Sequence, residues 1–162
     1  MRRIGLLVIL GSLTVLALAL NAGTSQATAP SGSSAPFTYR ATIQPHHVDS
    51  DDFKLFQKNP EDVVMRELTF APGGNSGWHS HPGPVYVLVT QGTLTNYQAS
   101  DPTCTGQQIS AGQGFVELPG QVHIVRNEGT TPVVLVATFL DVPVGVPGGF
   151  RIDAPNPGTC PF

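Results

Sequence analysis

Residues 73–92 read GGNSGWHSHPGPVYVLVTQG. The second half of this stretch, Val85 to Thr90, is a β-branched apolar run closed by Gln91-Gly92, which predicts a strand ended by a turn. The first half places His79 and His81 at i and i+2. On extended backbone that spacing points both imidazoles to one face. The lead-in Gly73-Gly74-Asn75-Ser76-Gly77 lets the chain bend into position.

The same rhythm of short apolar runs and Gly or Pro breakers continues on both sides. Val63 to Phe70 is predicted as a strand ended by Ala71-Pro72-Gly73-Gly74. Thr93–Gln98, Gln107–Ser110, Phe115–Leu118, Val122–Arg126 and Val133–Leu140 follow, with Pro119-Gly120 and Asn127-Glu128-Gly129 as turns. Upstream, Phe53 to Gln57 is a further candidate strand before the turn Lys58-Asn59-Pro60. Glycine and proline together make 33 of 162 residues, and 40% of the chain is hydrophobic while only 12% is charged. Rigid turns around many short apolar runs describe one all-β domain, a sandwich or barrel. The domain is expected to span 37–162, with a Pro-containing irregular tail at 141–162 and a flexible linker at 28–36, TAPSGSSAP.

His123 falls on a later predicted strand, just past Pro119-Gly120. Three imidazoles converging inside a barrel suit a divalent ion of the zinc, iron, manganese, nickel or copper type. Residues 73–92 resemble the first motif of the cupin superfamily, G-x5-H-x-H-x3-E-x6-G, at Gly73, His79, His81 and Gly92. Residues 112–127, GQGFVELPGQVHIVRN, resemble the second, G-x5-P-x-G-x2-H-x3-N, at Gly112, Gly120, His123 and Asn127, with the proline displaced by one to Pro119. The resemblance implies a small double-stranded β-helix, or jelly-roll cupin barrel, with His79, His81 and His123 as metal ligands. It also carries dimerisation as a prior.

One position departs from the pattern. The metal-binding glutamate of the first motif falls at Val85, which shares parity with the two histidines. Three readings stay open: a three-histidine site completed by water, an acidic substitute from elsewhere with Glu117 as the best candidate, or a barrel that has lost its metal. Without a carboxylate the ion would keep its full double charge and act as the stronger Lewis acid. If inward-facing, Glu117 could be a ligand or a general base. The plainer reading, a surface glutamate at a strand end, is the one favoured from sequence.

Strand parity turns Trp78 and Tyr86 away from the histidine face, Trp78 into packing and Tyr86 under the tail. Tyr97 could line a pocket mouth. Arg126 is expected at the surface, and His46 and His47 in solvent.

Arg2 and Arg3 followed by the apolar run Ile4–Leu20 and small residues form an export signal, with cleavage preferred after Ala27, giving a signal peptide of residues 1–27. An uncleaved N-terminal anchor helix is the alternative. The mature chain keeps 6 basic against 11 acidic side chains, which argues against nucleic acid or an anionic membrane as partner. Export favours pairing Cys104 with Cys160. Such a bond would pin the tail, and its loss is expected to leave the histidine site intact. The functional expectation is an exported, metal-binding protein acting on a small-molecule ligand, as an oxygenase, isomerase or lyase. The competing class is a non-catalytic binding module.

Overall fold

The structure is a computed structural model that describes residues 27–44, 46–49, 54–57 and 59–162, with side-chain detail for 27–44 and 59–162. The proposed signal segment up to residue 26 lies outside them. Every regular element among the described residues is a strand. In chain order they are β1 (Ser31–Ile43), β2 (His46–Asp49), β3 (Lys54–Gln57), β4 (Glu61–Asn75), β5 (His79–Ser80) and β6 (Val85–Gln91). Then come β7 (Thr93–Gln98), β8 (Gln107–Ser110), β9 (Gly114–Glu117), β10 (His123–Arg126), β11 (Val133–Val142) and β12 (Ile152–Asp153). Among the described residues β2 and β3 pair with each other as a separate two-stranded sheet; the side chains of His46 and His47 lie outside what is described.

The other ten strands form the jelly-roll. One wall runs β1-β4-β11-β6-β9 and the other β12-β5-β10-β7-β8, all antiparallel. The walls join where the long strand β4 reaches β10 at the pair Asn75–Arg126. Alternation does what period two requires. In β6, Val85, Val87 and Val89 are buried while Tyr86 and Leu88 are exposed. In β11, Val133, Leu135, Ala137 and Phe139 face inward. These side chains, with Val64, Phe70, Leu94, Ile109 and Val125, form the main core.

Three expectations change. The segment read as a linker, 28–36, is partly strand, because β1 begins at Ser31 and pairs along β4 from Asn75 back to Glu61, with irregular register at its start. The Ala71–Gly74 breaker does not end β4, which continues through a bend to Asn75. Tyr86 is 52% exposed and is not covered by the tail.

A second, smaller cluster lies on the outside of the β5–β10 wall, where Trp78, Ile124, Ala154 and Cys160 are buried together with Tyr97, Cys104 and Phe162 against them. The disulfide Cys104–Cys160 closes this side, with its Cα atoms 5.2 Å apart. The tail is therefore docked. β12 pairs with β5, the Ala154 N–H donates to Trp78 O at 3.0 Å, and Arg126 stacks over the Phe162 ring at 3.9 Å.

Candidate metal centre

Each ligand candidate is placed by the chain's own local chemistry. Gly77 adopts φ +67°, and a Cβ there would collide with the carbonyl of Thr28. Only glycine fits this close approach, which turns the chain into β5. Ser76 ties the same corner to β10, accepting from the Val125 N–H at its Oγ at 3.0 Å. Gly73 and Asn127, the outermost residues of the two motifs, belong to one interlock: the Gly73 N–H donates to Asn127 O and the Asn127 N–H to Gly74 O, both at 2.9 Å. The motif asparagine is thus a strut, its side-chain amide donating to Phe70 O at 2.9 Å and Thr131 O at 2.8 Å.

His79 on β5 stands directly opposite His123 on β10. His81 follows two residues after His79. The rings are buried, with centroids 4.4 to 5.2 Å apart, and one ligating atom from each lies within 4.8 Å of the others. In every ring Nδ1 donates to a backbone carbonyl: His79 to Gly77 O at 2.8 Å, His81 to Phe150 O at 2.6 Å, His123 to Gln121 O at 2.9 Å. A ring that spends its proton on Nδ1 presents a lone pair at Nε2.

Glu117 faces into this cluster and is 6% exposed, so the surface reading does not hold. Its Oε1 lies 3.0 Å from His123 Nε2 and its Oε2 3.1 Å from His81 Nε2. Neither Nε2 makes an aligned hydrogen bond, although both are buried. The placement follows from register: Glu117 on β9 is the direct cross-strand partner of Val85 on β6. The carboxylate missing from position 85 enters the same space from the neighbouring strand, while Val85 is fully buried beside it.

The electrostatics agree. Burial pushes the His79 imidazole down to about 2, with the charges of His123, Arg151 and His81 adding to it. Burial alone would raise Glu117, but the approach of His123 and His81 outweighs it and holds the carboxyl well below the usual range. Burial likewise opposes charge on His123, yet Glu117 draws its pKa upward. Without an ion, the lowered Glu117 and raised His123 describe a carboxylate that shares a proton with the imidazole it faces. The three imidazoles, each offering one nitrogen within 4.8 Å of the others, fit a divalent metal of the class expected from sequence, with the Glu117 carboxylate beside two of them.

A cavity of about 180 Å³ opens from the centre. His79, His81 and Glu117 line it, together with Leu68, Phe70 and Phe139 and with Ser33 and Ser34 of β1. Arg66 and Arg151 also reach it; neither stood out in the sequence. Arg66 could have been found by parity, since it shares the inward face of β4 with Val64, Leu68 and Phe70. Arg151 lies in the tail, where no pattern marks it. Trp78 and Arg126 sit outside the cavity as parity requires. Tyr97 does too, packing on the Phe162 ring at 5.1 Å and donating to Glu128 at 3.3 Å.

Comparison with known proteins places this region. Residues 66–139 match the family model described as a cupin domain. Germin-like protein 5-1 of Oryza sativa subsp. japonica is 33% identical over 104 residues, covering 63% of this chain and 45% of the relative. Auxin-binding protein ABP19b of Prunus persica is 34% identical over 79 residues, 48% of this chain and 38% of the relative. The chain thus spans less than half the length of these two curated relatives. Among solved structures, a cupin domain from Bordetella pertussis Tohama I aligns with 25% identity, 60% of this chain, 96% of that chain and a TM-score of 0.44.

Proposed function

Starting from the cupin domain that residues 66–139 form, we propose that the chain holds one divalent metal ion on His79, His81, His123 and Glu117, and uses it on a small molecule in the adjoining cavity. One observation carries this reading: three Nδ1–H groups are committed to backbone carbonyls, so the Nε2 lone pairs of three clustered, buried imidazoles are left for an ion, and the Glu117 carboxylate lies against two of them. Such a cluster is repulsive without a cation at its centre. Of the three readings open from sequence, this supports the acidic substitute, with the acid on β9 instead of β6.

When bound, the ion supplies Lewis acidity, polarising an oxygen of a ligand or lowering the pKa of a bound water. The protein residues do the rest. The backbone carbonyls of Gly77, Gln121 and Phe150 fix the ring orientations. Glu117 lowers the net charge of the ion from two to one, which makes it a milder Lewis acid than a three-histidine site. Leu68, Phe70 and Phe139 exclude water from the cavity wall. The cavity is below the size of drug-like pockets, which restricts the ligand to a small molecule.

We also read the chain as exported through residues 1–27. The Cys104–Cys160 bond supports this, because such bonds persist in oxidising compartments. Among the described residues no helix is long and apolar enough to cross a membrane.

Elemental analysis of protein purified without added metal tests the centre. About one transition-metal ion per chain is expected, and His79→Ala should lose it. Wild-type protein free of transition metal would overturn the reading. Metal without turnover on a panel of small diketones, thiols, sugars and organic acids would favour the non-catalytic binding module.

A further inference from the structure

We propose that Arg66 and Arg151 form an anion subsite in the same cavity, which selects a small organic carboxylate and directs its other end toward the histidine–glutamate centre. The inference rests on the metal reading for the second half of that statement only.

Arg66 occupies an inward position of β4, in register with Ala137 of β11. Its neighbours on that face, Val64, Leu68 and Phe70, are apolar. Arg66 is half-buried, and a guanidinium on this face loses part of its hydration and gains from compensation by a partner. The structure supplies little of it. Nε donates to Thr38 Oγ1 at 3.3 Å, and the guanidinium lies over the Phe150 ring at 4.9 Å. Among the described residues no carboxylate pairs with it.

Arg151 approaches from the tail. Its Nε donates to Asp153 Oδ1 at 2.6 Å on the solvent side. Its Nη2 is buried without a hydrogen-bond partner. A buried unsatisfied guanidinium nitrogen lining a cavity is an unmet donor, and such donors are rare unless a ligand meets them. The positive charge of Arg151 acts on Arg66, His79 and His123 alike, so the two arginines and the centre share one electrostatic space. Burial and Arg151 together hold the Arg66 guanidinium below its ordinary pKa, the expected state of two like charges awaiting an anion.

The planar fork of arginine matches a carboxylate or a phosphate. The walls separate these two. Leu68, Phe70 and Phe139 line the cavity and pack in or against the main core, and an apolar lining favours a ligand with a hydrocarbon body over inorganic phosphate. Glu117 is the one carboxylate among the described residues lining the cavity, and it is turned to the histidines.

The test is a chemical-shift titration of isotope-labelled full-length protein with three probes: butanoate, the uncharged isostere butanamide, and inorganic phosphate. Butanoate should bind at least about 10-fold more tightly than butanamide, the scale of a charge-assisted hydrogen-bond pair. Arg66→Gln and Arg151→Gln should each remove most of that preference with metal content unchanged, and Arg66→Lys should lose less than Arg66→Gln. The same titration on chelator-stripped protein should keep the arginine-dependent preference, so failure of the metal reading and failure of this one are separable. Should Arg66→Gln not fold, Arg151→Gln in the docked tail decides. Equal binding of butanoate and butanamide, a preference indifferent to Arg151→Gln, or tighter binding of phosphate than of butanoate would overturn the proposal.

Discussion

The strands that carry His79 and His123 have two faces built by different means. The inner face is a barrel interior: His79, His123 and Glu117 meet there beside a valine-rich core contributed by long, regular strands. The outer face bears the adjacent residues, Trp78 and Ile124, under a tail that pairs with this wall through the two-residue β12. Inside, burial comes from alternation. Outside, it comes from a disulfide and a few backbone bonds that hold a proline-rich segment in place. The two faces are mechanically one, because the tail that covers the outside also crosses to the inside. Phe150 O accepts from His81 Nδ1, and Arg151 enters the cavity.

The largest way to break this pairing is Cys104→Ser. The bond closes a separation of 56 residues, for which the chain-entropy account gives about 4 kcal/mol of stabilisation, an upper figure. Urea unfolding should show a loss approaching that value. From sequence alone the histidine site would be untouched. The structure gives a reason to expect otherwise, since the tail also supplies the Phe150 carbonyl that holds the His81 ring. Loss of such an outer support weakens metal affinity by about 10-fold or more. Reduced stability with unchanged metal affinity would show the faces to be independent.

A smaller effect in free energy, but a sharper test of the inner face, comes from Glu117→Val. If Glu117 is the ligand proposed above, its removal should weaken metal binding by more than the roughly 10- to 100-fold of an outer-shell partner, read by competition with a chelator. The double variant Val85→Glu with Glu117→Val moves the acid back across the strand pair to the family position and should recover much of that loss. Val85→Glu alone should not tighten binding, because it buries a second carboxylate against the first. Tighter binding by that single variant would mean that Glu117 is not a ligand.

The smallest effect lies away from both faces. The Glu61 carboxyl is pushed up to about 7, chiefly by its hydrogen bond with Asp141, then by burial and by the Asp141 charge. A carboxyl raised in the folded state stabilises while protonated. Its contribution is complete below about pH 4.5 and is lost as pH rises through about 7. Glu61→Gln should flatten the melting-temperature profile across that window, by less than about 1 kcal/mol because the pair is largely solvent-screened. Metal affinity should not move. A change in metal binding at constant pH would place this corner in communication with the centre.

Much of this was readable residue by residue. The alternation of Val85, Val87 and Val89 and the turns at Gly92, Gly120 and Gly129 gave the strands to within a few positions. Spacing and parity set His79 and His81 on one face, and the resemblance to the two cupin motifs joined His123 to them. Glu117 was weighed and placed at the surface, because a four-residue strand offers too few alternations to fix a phase. Arg66 shares the alternation of Leu68 and Phe70 within the strand read at Val63 to Phe70, but alternation alone does not mark a single charged residue as functional. Arg151 and the Phe150 carbonyl carried no signal, because a proline- and glycine-rich tail has no periodicity to read.

What the chain determined by itself was local: period-two hydrophobicity, glycines where φ must be positive, and two histidine motifs whose faces follow from extended geometry. What only the tertiary structure decided was pairing across distance. Register set Glu117 opposite Val85, a docked tail set Phe150 against His81, and barrel closure brought Arg66 and Arg151 to one cavity. The physical reason is that side-chain direction is fixed by the few bonds around each residue. Which two strands lie side by side depends on the burial balance of the whole barrel, and that is not written at any single position.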